Sequence, residues 1–234
     1  MSSVKTVYLD YAASAPAREC SLEAERRYAS ADYAGANPNS LHGMGRLAAR
    51  ALDQARADLA RCLGGRFRPA EVTFTSGGTE SNNLALFGLS EGARERDRKR
   101  TKVIVSAIEH DSVLDVASPL RALGFEVVLA RPGRDGKVSC ETLEALVGTD
   151  TALVSIMYAN NETGVVQPIP ELAAVAHRSG ALFHTDAVQG FGRIPLDLSM
   201  VDAVSCAAHK IGGPVGVGLL AVRGRVPLRP RQFG

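Results

Sequence analysis

The sequence predicts an α/β fold, with a mainly parallel sheet of seven strands and helices on both faces. Three observations predict it. Seven short apolar runs rich in Val and Ile recur along the chain. Helix-like stretches separate them, which is the alternation of a layered α/β domain. Most of the runs are apolar without clean alternation, as strands buried on both faces of a parallel sheet are. The chain has 234 residues, 45% of them apolar. That is enough for one large domain, alone or with a small appendage, and too apolar for a disordered chain.

The strands are expected at 71–75, 102–107, 125–130, 151–157, 181–185, 202–206 and 216–222. The clearest helix is 45–63, where Leu47, Ala51, Leu52, Ala55, Leu59 and Leu63 form one stripe. Further helices are expected at 84–92, 112–123, 142–147 and 169–178. Gly64-Gly65, Gly124 and Gly180 stand where helix C-caps belong. The charged stretch 91–100 reads as a solvated helix end. No repeat or low-complexity tract interrupts the pattern.

Charge and cysteines narrow the function. A formal net charge of +2 implies neither nucleic acid nor an anionic membrane as partner. No segment approaches the ~20 apolar residues of a membrane span. The N-terminus lacks the apolar core of a signal peptide. Cys20, Cys62, Cys140 and Cys206 are widely spaced and form no CxxC pair. That argues against a zinc site, with no metal expected, and against a disulfide framework. The expected setting is the cytoplasm. The sequon at Asn161 carries no meaning there.

In open α/β sheets a ligand sits beyond the carboxyl ends of the strands. The residues just after the predicted strands are Ser76-Gly77-Gly78-Thr79, Ile108-Glu109-His110, Tyr158-Ala159-Asn160-Asn161, Asp186-Ala187-Val188-Gln189 and Ala207-Ala208-His209-Lys210. Hydroxyl, imidazole, amide, carboxylate and amine groups thus converge on one crevice, the pattern of an enzyme site.

Each has a plain reading beside a chemical one. Gly78 and Thr79 open a helix, which suits either a phosphate or an ordinary Thr N-cap. Asp186 can cap a helix or hold a protonated pyridine nitrogen. A lone lysine is usually a solvated charge. Lys210, however, follows a strand among small residues, where partial desolvation would free its amine for Schiff-base chemistry. His110 can cap, carry a proton or stack on a ring, and His209 can bind phosphate. His184 faces away and reads as packing. His42 and His177 carry no signal.

Together the stretches YLDYAASAP, NPNSLHGMGR, EVTFTSGGTESNNLAL, EHDSVLD, YANNETGVVQPI, HTDAVQGFGRIPLDL and AHKIGGPVGVGLL closely resemble the cysteine desulfurases. These are class V aminotransferase-like members of the fold-type I pyridoxal 5'-phosphate (PLP) enzymes. The resemblance implies that residues 16–234 form the PLP-binding large domain and that 1–15 pack with a small domain. Lys210 resembles the lysine that bonds PLP. Asp186 resembles the partner of the pyridine nitrogen, and Gln189 and Asn161 resemble donors to the ring hydroxyl. His110 resembles the imidazole stacked on the ring, with a part in proton transfer. Gly78, Thr79 and His209 resemble the phosphate contacts.

The implied reaction converts L-cysteine to L-alanine and passes sulfur, as an enzyme persulfide, to iron–sulfur or thio-cofactor assembly. The implied partner is a sulfur-acceptor protein such as an iron–sulfur scaffold, and the implied full-length form is a homodimer. Two departures stand out. Relatives continue well past the position of Gly234, into the small domain and the loop with the catalytic cysteine. The chain therefore reads as a truncated form, with none of its four cysteines at the catalytic position. Ala207 and Val215 replace a Ser and a Lys common in relatives. A missing Ser hydroxyl would cost the phosphate one charge-assisted hydrogen bond, ~1.5–3 kcal/mol. Alternatives are another class V PLP reaction, such as selenocysteine lysis or amino transfer, or an inactive PLP-binding remnant.

Overall fold

The computed structural model describes residues 6–64 and 67–233. Gly65 and Gly234 lie outside them. Seven strands form one sheet: β1 Val72–Thr75, β2 Lys102–Ser106, β3 Glu126–Ala130, β4 Thr151–Ser155, β5 Leu182–Asp186, β6 Ala203–Ala207 and β7 Gly218–Val222. Their spatial order is β1-β7-β6-β5-β4-β2-β3. The run from β3 through β6 is parallel, and β7 lies antiparallel to both β6 and β1. All seven expected strands form. Their bounds shift by a residue or two: Glu71 belongs to a 3-10 turn, and β7 begins after Gly216, whose φ is 83°.

The helices are α1 Glu19–Ala29, α2 Gly43–Cys62, α3 Gly78–Arg96, α4 Asp111–Leu114, α5 Ala117–Ala122, α6 Cys140–Glu144 and α7 Ile169–Arg178. The single helix expected over 112–123 is two. Pro119 cannot donate to the carbonyl four residues back, so a continuous helix would lose a bond there. The short element expected at 142–147 begins two residues earlier, capped by the Ser139 side chain accepting from Thr142 N. The stretch expected to start at Leu84 begins at Gly78, because Gly77 already accepts from Ser81 N. α1 was not legible: none of its residues is buried, so it has no apolar stripe to read. Gly64, Gly124 and Gly180 follow α2, α5 and α7 with φ of 81°, 83° and 74°, the left-handed ends that glycine favours.

Successive strand residues feed two cores. On β2, Ile104 joins one while Val103 and Val105 join the other. On β7, Leu219 and Ala221 alternate against Leu220 in the same way. The first core packs residues of α2, α6 and α7 with Phe183 and Ile156; the second packs Ala85, Leu86 and Leu89 of α3 with Val113 and Leu120. Helices on both faces explain the unalternating runs. The carboxyl ends of the parallel strands are where such a sheet receives a ligand.

Candidate active site

All eight residues singled out in the sequence line one cleft of about 370 Å³. Asp186 ends β5, and Lys210 and His209 lie in the 3-10 turn Ala208–Lys210 after β6. His110 caps α4 beyond β2, and Asn161 lies beyond β4. Gly78 and Thr79 begin α3, and Gln189 follows β5. β5 and β6 are neighbours in register, with Asp186 opposite Ser205, so the carboxylate and the lysine turn meet.

Asp186 is buried, and each of its oxygens accepts a hydrogen bond. Its Oδ1 accepts from Val188 N at 2.8 Å and its Oδ2 from Asn82 Nδ2 at 2.7 Å. Burial raises its pKa, while these two donors and the nearby His110 and Lys210 pull the other way. The same Asn82 nitrogen lies 2.9 Å from Ser112 Oγ, and that oxygen lies 2.9 Å from His110 Nδ1. Ser112 N also donates to His110 Nδ1, at 3.0 Å. A directed chain follows: Asn82 donates to Ser112, and the Ser112 hydroxyl donates to the imidazole. Nδ1 is then an acceptor, and the proton of the neutral ring sits on Nε2. The carboxylate fixes the amide orientation, since a flip would set two oxygens face to face. Asn82 Oδ1 is left buried without a partner among the described residues.

Lys210 is half-buried. Its Nζ donates to the carbonyls of Ala12 and Ala13 at 2.7 and 2.8 Å. Burial lowers its pKa, the Arg193 charge lowers it further, and Asp10 and Asp186 oppose. Residues 10–15 form a tight turn, with Ala13 N and Ser14 N on Asp10 O, and Ala15 N donates to His209 O at 2.9 Å. This N-terminal segment therefore lies directly against the lysine.

The far end of the cleft is shaped for close approach to backbone. A Cβ on Gly78 would come within 2.9 Å of Val188 Cγ2, so only glycine keeps this mouth of α3 open. Gly78 and Thr79 of the first turn of α3 line this end, and a helix start favours an anion. His209 stands nearby, its pKa lowered by burial and by Lys210. Ala207 presents a methyl group to the cleft. Ser205 does not replace a hydroxyl there: its Oγ is 2.9 Å from His184 Nε2, and His184 Nδ1 is 2.8 Å from Ser155 Oγ. His184 thus bridges three strands inside the sheet, as the packing reading expects, and burial drives its pKa to about 3.

The cysteines stay away from the cleft. Cys206 is buried in the core, and its thiol is pushed well above the usual range. Cys140 does begin α6, yet its pKa is raised rather than lowered. Burial and the Glu141, Glu144 and Glu171 carboxylates outweigh a helix only 5 residues long.

Residue-by-residue reading missed Asn82, Ser112 and Glu109. Glu109 is buried: its Oε1 accepts from Ser106 Oγ at 2.5 Å and Met157 N at 2.7 Å, and Oε2 has no partner among the described residues. Burial raises its pKa to about 8. It braces the His110 loop against the loop of Asn161, as does Asn160 Nδ2 donating to Ile108 O at 2.9 Å. Its position beside His110 was the only signal.

Residues 7–234 match the aminotransferase class-V family. The chain belongs to that family. Among curated members, the cysteine desulfurase IscS of Dictyoglomus turgidum is 40% identical over 232 residues, covering 98% of this chain and 57% of the relative. The putative cysteine desulfurase IscS 1 of Bacillus subtilis is 38% identical over 233 residues, covering 99% and 60%. Among solved structures, SspA in complex with cysteine superposes with a TM-score of 0.89 at 38% identity, covering 98% of this chain and 65% of that one. A NifS-like protein gives 0.88 at 39% identity, covering 97% and 62%. The chain thus spans less than two thirds of the length of these relatives.

Proposed function

We propose that this chain is the PLP-binding part of a cysteine desulfurase, acting on L-cysteine. One observation carries the reading: the Lys210 amine, the Asp186 carboxylate and the mouth of α3 share a single cleft. The donor set fits PLP, with an amine for the aldehyde, a buried carboxylate for the pyridine nitrogen, and a glycine-opened helix start for the phosphate. When bound, PLP supplies an electron sink for charge developing at the substrate α-carbon.

The chain's own residues have these proposed roles. Lys210 anchors the cofactor, aided by burial that keeps its amine from holding its proton too tightly. Asp186, with Asn82 and Val188 donating to it, stays oriented to accept from the ring nitrogen. Asn161 and Gln189 donate to the ring hydroxyl. Gly78, Thr79 and His209 hold the phosphate. His110 would lie against the ring, carrying a proton on Nε2, the tautomer set by Ser112. No role in taking sulfur is assigned to any of the four cysteines, because none lines the cleft.

L-cysteine as substrate rests on the desulfurase names of the relatives and on the cysteine complex of SspA. The proposal extends to a sulfur-acceptor protein, such as an iron–sulfur scaffold, and to a homodimer. The proposed setting is the cytoplasm, where the four free thiols stay reduced. No helix among the described residues is long and apolar enough to cross a membrane.

Titration with PLP tests the reading. A visible absorbance band that Lys210→Ala abolishes is expected. No band in the wild type would overturn it. L-cysteine added to the loaded protein, with alanine and sulfide measured, separates a desulfurase from another class V enzyme or a PLP-binding remnant.

A further inference from the structure

Arg193 is exposed on the turn after β5, yet its guanidinium makes three bonds to one place. Nη1 donates to Gln189 Oε1 at 2.9 Å. Nη2 donates to Tyr11 O at 2.7 Å and to Lys210 O at 2.6 Å. Gln189 Nε2 in turn donates to Ala12 O at 2.9 Å, the carbonyl that also accepts from Lys210 Nζ. Arg193, Gln189 and Lys210 therefore share the backbone of residues 11–13 as their common acceptor. A planar fork can hold such an arrangement, while a lysine ammonium in its place has no such geometry.

We propose that Arg193 is a positioning residue for Lys210. It clamps the Tyr11–Ala13 backbone to the lysine turn, so that the Ala12 and Ala13 carbonyls form a resting site for the Lys210 ammonium whenever that amine is unbonded. The clamp has two consequences. Without it the two carbonyls drift from the amine, although Ala15 N on His209 O and Arg18 N on Gly212 O still tether the segment further along. Its positive charge also disfavours the protonated amine. Among the described residues, the other charged or titratable groups lining the cleft with Lys210 are Asp10 on the N-terminal segment, Asp186 at the end of β5, His209 in its own turn and His110 beyond β2.

The second consequence rests on the reading that Lys210 binds PLP; the first does not. The test therefore has two arms on the full natural chain. In the first, without cofactor, site-resolved hydrogen exchange is followed at Ala13 and Ser14, with Ala15 as internal control. Arg193→Gln and Lys210→Ala are each expected to speed exchange at Ala13 and Ser14 about tenfold, the effect of losing a charge-assisted bond, and to leave Ala15 unchanged. Arg193→Lys is expected to fall between Arg193→Gln and wild type. Wild-type exchange in both Arg193 variants overturns the clamp, and so does an equal rise at Ala15, which would mean general loosening.

In the second arm PLP is added and the pH midpoint of its visible band is measured. Arg193→Gln should move the midpoint to higher pH, because the Lys210 nitrogen, bonded to PLP and away from the two carbonyls, loses a neighbouring positive charge and holds its proton more tightly. Arg193→Lys should keep it. An unmoved midpoint in Arg193→Gln overturns the charge effect. A wild type with no band overturns the PLP reading instead and leaves the exchange result standing.

Discussion

Asn82 Nδ2 lies 2.7 Å from Asp186 Oδ2, joining the first turns of α3 to the end of β5. The pair is buried, and the amide nitrogen continues through Ser112 to His110. The carboxylate and the imidazole thus share one hydrogen-bonded support. Asn82→Ala removes one of two donors to Asp186 and the donor to Ser112. PLP is expected to bind about tenfold more weakly, the usual effect of losing a bond to a charged group. Equilibrium titration of the visible band measures it. Unchanged affinity would reduce the bridge to a packing feature.

Ala207→Ser adds a hydroxyl at the cleft wall beside Gly78. Ser205 does not substitute, since its Oγ is committed to His184. PLP affinity is expected to rise by about tenfold, from one added charge-assisted bond. An unaltered dissociation constant would mean that the phosphate does not reach position 207.

His184 makes the fold acid-sensitive. Its folded pKa of about 3 lies below the ordinary 6.5. Between those values the unfolded chain binds a proton that the native protein refuses, so stability is lost as pH falls through that window. Measured by urea unfolding as a difference from His184→Gln, which lacks this titration, the wild type should lose about 2 kcal/mol between pH 7 and pH 5. A variant with the wild-type slope would contradict the assignment.

Glu109 acts in the opposite direction. Its pKa rises from 4.5 to about 8, so between those values the native protein holds a proton that the unfolded chain has released. Stability is then lost as pH rises towards 8. From pH 4.5 to 6.5 this slope opposes that of His184; above 6.5 it acts without it. Glu109→Gln keeps the neutral shape and should flatten the decline between pH 6.5 and 8. A decline of equal steepness in the variant would rule out Glu109 as its source.

Much of this protein is legible in its local sequence. The run VIV of β2 reads as a strand buried on both faces because each side chain enters one of two cores. Lys210, Asp186 and His110 stood out because they follow such runs, where an α/β sheet exposes polar groups. α1 and the break between α4 and α5 were less legible. The first has no fully buried residue, and the second turns on one missing N–H at Pro119.

By itself the sequence determined where strands and helices form and which chemical groups end up at the strand ends, because periodicity and residue type are local properties. The antiparallel course of β7 needed the sheet, since an apolar run carries no direction. Asn82 meets Asp186 across 104 residues, Arg193 meets Tyr11 across 182, and Lys210 meets Ala12 across 198. Only the tertiary structure decided these, because a hydrogen bond depends on distances that packing sets and sequence neighbours do not.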